Sequence, residues 1–154
     1  MGSRRTLGIP VPWVFTIAYL VGVGAQFAAP VSASGVLLLA SVAVAVLLIV
    51  AGTVLASWGQ ALFRRARTTT VPGETSSALV TSGPYGVTRN PMYVGLFAVF
   101  EGVSLAFTLV WSMVLMLPVF YYLNWFVVPL EEERLAGSFG AEYEAYRKKV
   151  RRWL

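Results

Sequence analysis

Residues 36–63 read VLLLASVAVAVLLIVAGTVLASWGQALF. The stretch contains no Asp, Glu, Lys or Arg, and it exceeds the roughly 20 apolar residues that a helix needs to cross a bilayer. Trp58 and Gln60 lie near its end, followed by Arg64, Arg65 and Arg67, the residue types expected at a membrane–water interface. Val36 to Phe63 therefore reads as a membrane-spanning helix that runs slightly past the surface. Toward the N-terminus the absence of charge continues back to Arg5. Val11 to Ala29 supplies another span, with Pro10 and Pro12 at its start, where a missing N–H costs little. Pro30, Ser32, Ser34 and Gly35 make a short uncharged turn between the two. Arg4 and Arg5 before an apolar stretch resemble a signal peptide, but the length of the stretch and the further spans favour a retained first helix.

Toward the C-terminus, Asn90 to Leu130 carries one charge, Glu101. Pro91 to Phe107 reads as a third, shorter span, Thr108 as a tight turn, and Leu109 to Leu130 as a fourth. Pro118 inside the fourth is expected to kink it. The expectation is an all-α polytopic membrane protein of about four transmembrane helices, in a single membrane domain covering residues 1–154. A polar connection, 64–90, and an amphipathic tail, 131–154, complete it. The connection holds Thr68, Thr69, Thr70, Pro72, Gly73, Ser76, Ser77, Ser82, Gly83 and Pro84. It is too long for an idle turn. In the tail, Leu135, Phe139, Tyr143, Tyr146 and Val150 recur at helical spacing, and Glu144 and Lys148 stand four apart.

Composition agrees with this outline. The chain is 57% hydrophobic and 12% charged, against about 25% charged in an average soluble domain. It has no Cys, so no disulfide or thiolate nucleophile, and no His, so no histidine base and none of the usual zinc chemistry. No metal site is expected. The net charge of +5 flanks apolar spans, which points to anionic lipid headgroups rather than nucleic acid. Four spans place the N-terminus, the connection and the tail on one side, and all 12 Lys and Arg lie in those segments. By the positive-inside rule that side, with both termini, is cytoplasmic.

Three features stand out chemically. Ser82-Gly83-Pro84-Tyr85, then Arg89-Asn90-Pro91-Met92-Tyr93-Val94-Gly95, leads a turn into a helix start beside an arginine fork. The place suits a carboxylate or phosphate; equally, Arg89 in an ordinary loop binds lipid headgroups. Glu131-Glu132-Glu133 follows the fourth span directly. Such acids favour a bound ammonium group or an ion pair, or simply a solvated helix start. Glu101 falls about three turns into the third span. A carboxylate there has a partner or a function. It could be protonated, bond to Ser104, Thr108 or Tyr121, or stand along a substrate cavity. Together the features describe a cationic fork, an anionic cluster and many aromatics at the cytoplasmic membrane edge. A zwitterionic, partly aromatic ligand such as S-adenosylmethionine matches that description.

The residues also carry a resemblance. Leu79-Val80-Thr81-Ser82-Gly83-Pro84-Tyr85, with Arg89-Asn90-Pro91-Met92-Tyr93-Val94-Gly95, resembles the first signature of isoprenylcysteine carboxyl methyltransferases. Glu131-Glu132, Leu135, Phe139-Gly140, Tyr143, Tyr146 and Val150 are similar to the second. The wider group includes phospholipid methyltransferases and small bacterial membrane enzymes. The likeness covers Leu79 to Leu154, and the first two helices carry no such signature. It implies an enzyme that transfers methyl from S-adenosylmethionine to a lipophilic acceptor, an isoprenylcysteine carboxylate-like or other small lipophilic group, entering from the bilayer. It also implies a bacterial cytoplasmic membrane. Carried over, Gly83, Pro84, Tyr85, Arg89, Asn90, Tyr93, Glu131, Glu132, Tyr143 and Tyr146 bind the cofactor, with Phe139 helping to shape the site. Arg89, Glu132 and Glu101 are the residues expected to serve catalysis. Tyr85, Tyr93 or Trp125 would face the sulfonium through cation–π attraction. Many members have histidine where this chain has Asn90, which can hydrogen-bond but cannot carry a proton at neutral pH.

Two other readings compete. A membrane reductase using NADPH shares a similar C-terminal architecture, but its phosphates fit poorly beside Glu131-Glu132-Glu133. A noncatalytic scaffold or small transporter fits the packing residues Gly22, Gly24, Gly52, Gly95 and Gly102, but gives no reason for the paired motifs.

Overall fold

The computed structural model describes residues 10–31, 38–68 and 77–154. Arg4, Arg5, Ser32, Ser34, Gly35, the start of the second helix at Val36, and Thr69, Thr70, Pro72, Gly73 and Ser76 lie outside the described residues. The described chain is helical: α1 is Val11–Ala28, α2 Leu38–Arg65, α3 Pro91–Ala106, α4 Val110–Tyr122, α5 Val128–Phe139 and α6 Ala141–Lys149. A 3-10 turn, Gly83–Gly86, precedes α3, and a π turn, Leu123–Val127, joins α4 to α5.

Three helical stretches, Val11–Ala28, Ser41–Arg65 and Val110–Phe139, are long and apolar enough to cross a membrane. α3 is apolar but only 16 residues long, about 24 Å against a hydrocarbon core of about 30 Å. The helices present apolar side chains outward: Ile17, Leu20 and Phe27 on α1, and Val46, Leu47, Val50 and Val54 on α2, are all exposed. In water such a surface would aggregate; against lipid tails it costs nothing.

Packing is correspondingly backbone-to-backbone. α2 lies along α3, α3 along α4, and α4 along α1. A Cβ placed on Gly52 would lie 2.6 Å from the Gly95 carbonyl oxygen, and one on Gly95 would lie 2.6 Å from that of Gly52. Gly22 meets the backbone of Ser112 in the same way, whereas Gly24 has open space around it among the described residues. Gly24 is thus not a packing glycine here. Phe15 anchors the aromatic core, its ring 4.7 Å from Phe97 and 5.5 Å from Phe100, with Val11, Met116, Val119, Leu123 and Val127 around it.

The fourth span does not stop at Leu130. The helix continues to Phe139, because Glu131-Glu132-Glu133 favours helix as readily as the apolar residues before it. α4 runs through Pro118 as regular helix to Tyr122, and a widened π turn follows at Leu123–Val127. That turn lies just before Pro129, whose missing N–H would interrupt a regular ladder. Nor is the tail one helix. Gly140, at φ 49°, ends α5 and starts α6, so Leu135 and Phe139 belong to a different helix from Tyr143 and Tyr146. Residues 150–154 leave helical geometry altogether: Arg151 pairs with Thr88 as an isolated parallel bridge.

Contacts between Phe63 and Tyr85, Tyr146 and Tyr85, and Arg89 and Glu132 bring the end of α2, the start of α3 and the α5–α6 segment to one end of the bundle. Every described Lys and Arg lies at that end.

Candidate active site

The start of α3 is built for close approach. Gly83 has φ +60°, and a Cβ there would meet Leu62 and Trp58 of α2 at 3.0 and 3.2 Å. Only glycine takes that left-handed geometry without strain. The turn it opens accepts the Val87 and Thr88 N–H groups on the Pro84 carbonyl and buries Pro84 and Tyr85 against α2. Pro91 then starts α3 at the position where its missing N–H costs nothing. Arg89 is left between the turn and the helix, facing the tail.

There the two motifs meet. The Arg89 guanidinium lies 3.0 Å from the Glu132 carboxylate, with both side chains 11% exposed. The same Arg89 Nη1 donates to the Tyr143 hydroxyl at 3.3 Å. Glu132 is also gripped by Arg152, whose Nε donates to Oε1 at 3.0 Å and whose Nη2 donates to Oε2 at 2.7 Å. Two guanidinium groups on one carboxylate leave an excess of positive charge. A step away, the Tyr93 hydroxyl donates to Glu131 Oε1 at 2.7 Å, and the Tyr146 hydroxyl donates to the Tyr85 carbonyl oxygen at 2.8 Å. Glu133 is exposed. Burial pushes the phenols of Tyr85, Tyr143 and Tyr146 up, that of Tyr146 to about 12. Tyr146 and Glu131 add to the effect at Tyr85, and Glu132 adds to it at Tyr143, where Arg89 pulls the other way. These hydroxyls therefore stay protonated at neutral pH and act as hydrogen-bond partners, not bases.

Two buried polar atoms in this cluster, Arg89 Nε and Tyr85 Oη, have no hydrogen-bond partner among the described residues. Leaving a buried donor unsatisfied costs about 1–3 kcal/mol. A ligand offering acceptor atoms to both would recover that cost, so the donor set fits an amino-acid carboxylate with polar groups nearby.

The other expected residues are distributed as follows. Asn90 belongs to the cluster, and its amide donates one N–H to the Arg152 carbonyl oxygen at 2.9 Å, which helps to hold the tail. Phe139 precedes the Gly140 bend. Trp125 lies on the outer face, 62% exposed, with its ring 6.2 Å from Tyr121. Glu101 stands eight residues, about 12 Å, along α3 from Tyr93; it makes no hydrogen bond or ion pair with Ser104, Thr108 or Tyr121. Ser104 donates instead to the Phe100 carbonyl oxygen at 2.8 Å.

Sequence reasoning missed Thr88, Asn124, Arg152 and Trp153. Thr88 Oγ1 donates to the Arg152 carbonyl oxygen at 3.0 Å, and Trp153 Nε1 donates to Asn124 Oδ1 at 2.8 Å. Arg152 reads in the sequence as one more surface cation, and no periodic signal marks it.

Tyr93→Phe removes the hydroxyl that satisfies Glu131. The expected cost is about 1–3 kcal/mol, read as a lower melting temperature in detergent. An unchanged melting temperature would show that the bond contributes nothing.

Comparison with curated proteins and with solved structures gave no significant match. The phospholipid methyltransferase family matches residues 40–142, about two thirds of the chain. The match begins in α2, well before the first motif, and takes in the 3-10 turn, α3 and the Glu131–Glu132 segment. With that span matched, the chain belongs to the phospholipid methyltransferase family.

Proposed function

We propose that this membrane methyltransferase takes its methyl group from S-adenosylmethionine and delivers it to a lipophilic acceptor held at the membrane boundary. The single observation that carries the reading is the meeting of the two motifs: Arg89 and Glu132, 43 residues apart in sequence, lie 3.0 Å apart with both side chains largely buried. Arg89, with Nε free to donate, would hold the carboxylate end of the cofactor. Glu131, beside the Tyr93 and Tyr85 rings, would face its positive charge, and protonated Tyr85 would donate or accept at the same end. When bound, the sulfonium supplies an already activated methyl group. What remains for the chain's own residues is to bind, orient and exclude water, which requires neither His nor Cys.

A prenyl or acyl tail suits an apolar groove of about 260 Å3 between α1 and α4, lined by Val14, Ala18, Val21, Leu115, Pro118, Val119 and Tyr122. Access from the bilayer follows, with anionic headgroups against the exposed Arg64, Arg65, Arg147, Lys148 and Lys149. The charge pattern supports a cytoplasmic position for this end and for both termini.

Calorimetry on purified protein tests the reading. S-adenosylhomocysteine is expected to bind and NADPH is not. Arg89→Lys keeps the charge but removes the Nε donor and the planar fork, and affinity is expected to fall about 10-fold, the equivalent of about 1.4 kcal/mol. Absence of S-adenosylhomocysteine binding by folded wild-type protein ends the proposal.

A further inference from the structure

We infer that Arg152, near the end of the tail, is a positioning residue that sets the orientation of Arg89 through Glu132. The inference rests on the proposed cofactor reading and adds to it a residue outside the family match, which ends at residue 142.

The backbone of Arg152 is pinned first. The Arg89 N–H donates to the Arg151 carbonyl oxygen at 2.9 Å, and the Arg152 carbonyl oxygen accepts from both Thr88 Oγ1 at 3.0 Å and Asn90 Nδ2 at 2.9 Å. The tail is thereby tied to the loop that carries Arg89. The side chain then reaches back across the bundle end. Nε and Nη2 form a fork on Glu132, while Nη1 donates to the Asn124 carbonyl oxygen at 3.3 Å. Asn124 sits in the π turn, a helix irregularity often found at functional sites, and its side chain is held by Trp153 at 2.8 Å. Glu132 Oε1 receives Arg152 Nε and Arg89 Nη1 at the same 3.0 Å. The order of constraint therefore runs from Asn124 to Arg152 to Glu132 to Arg89. At the end of that chain Arg89 Nε is left buried and unpartnered among the described residues, available to a ligand. A second arginine also keeps Glu132 from cancelling the charge of Arg89, so the end of the site meant for a carboxylate stays positive.

The test uses the full chain in detergent, with S-adenosylhomocysteine titrated into wild type, Arg152→Lys, Arg152→Gln, Arg89→Lys and the Arg89→Lys/Arg152→Lys double variant. Lysine at 152 keeps one ionic contact with Glu132 but loses the fork and the reach to Asn124. Arg152→Lys is expected to bind about 10-fold more weakly or worse, with a melting temperature near that of wild type. The double variant should lose little beyond the larger single loss, because both changes act through one carboxylate. Should Arg152→Gln fail to fold, the Lys variant and the cycle decide alone. Wild-type affinity in folded Arg152→Lys, or losses that multiply in the double variant, overturns the positioning role while leaving the proposed function standing. Wild-type protein that binds no S-adenosylhomocysteine overturns both.

Discussion

Glu132→Gln is expected to destabilise the protein by about 3–5 kcal/mol, the usual cost of removing one partner from a buried ion pair, and to abolish S-adenosylhomocysteine binding. The Glu132 carboxylate holds Arg89 and Arg152 together, and its side chain is 11% exposed, as is that of Arg89. Glutamine keeps the shape and one acceptor oxygen but brings an NH2 group against a guanidinium. Two cations then face each other with no counter-charge between them, in surroundings that screen poorly. Stability and binding fall together, because the geometry that Glu132 imposes on Arg89 is the geometry offered to the ligand. Glu144→Gln serves as the internal comparison. Its pair with Arg147 is equally short, 2.9 Å, but the Arg147 and Glu144 side chains are 47% and 40% exposed. An exposed pair contributes less than about 1 kcal/mol, so that variant should melt and bind like wild type. Chemical or thermal unfolding in detergent, with calorimetry, reads both variants. If the two glutamine variants behave alike, the buried clamp is not what holds this end of the bundle.

Much of this arrangement is legible in the sequence, and the reasons are physical. Apolar runs such as Val36–Phe63 report a bilayer because no aqueous fold hides them. Arg89 and the Glu131–Glu132 pair are conspicuous because charge beside a membrane span needs a reason. The Gly83-Pro84 turn is visible because those residues permit few backbone geometries. What escapes has the opposite character. The continuation of α4 into α5 passes through a π turn at Leu123–Val127, and Pro129 just beyond it marks an interruption of the ladder without specifying which form the interruption takes. The fold-back of the tail depends on tertiary hydrogen bonds that join Thr88, Asn90 and Asn124 to Arg152 and Trp153, spanning 28 or more residues. Helical spacing in Tyr143, Tyr146 and Val150 suggests one continuous stripe with Leu135 and Phe139, and only the backbone shows that Gly140 divides it. Asn90 is expected at the cofactor because of its position in a motif. One of its two amide N–H groups ties the tail through the Arg152 carbonyl oxygen, a contact that a motif position alone does not reveal.

Gly95→Leu should have the other large effect, about 3 kcal/mol or more, at the upper end of what overpacking costs. The reason is the nature of what the new atoms meet. Even the first of them, the Cβ, would sit 2.6 Å from the Gly52 carbonyl oxygen and 2.8 Å from the Ala56 backbone nitrogen. A side chain in the way can change rotamer, but backbone moves only if the helix moves. In a membrane the contact between α2 and α3 has no hydrophobic driving force behind it and depends on close backbone approach, so parting the helices removes most of what joins them. The damage reaches the site by a short route. α2 carries Phe63, whose ring centroid is 5.3 Å from that of Tyr85, and α3 begins two residues after Arg89. Parting α2 from α3 therefore pulls the Phe63 ring away from Tyr85 and from the turn that leads to Arg89, although Gly95 itself lies six residues beyond the arginine. A series Gly95→Ala, Val, Leu should lower melting temperature and S-adenosylhomocysteine affinity in step. Gly24→Ala, in open space on α1, should be neutral or stabilise by up to about 1 kcal/mol through helix propensity alone. A Gly95→Leu protein that melts with the wild type would mean that α2 and α3 are not locked at this glycine pair, and that the spacing of the aromatic and cationic halves of the site is set elsewhere.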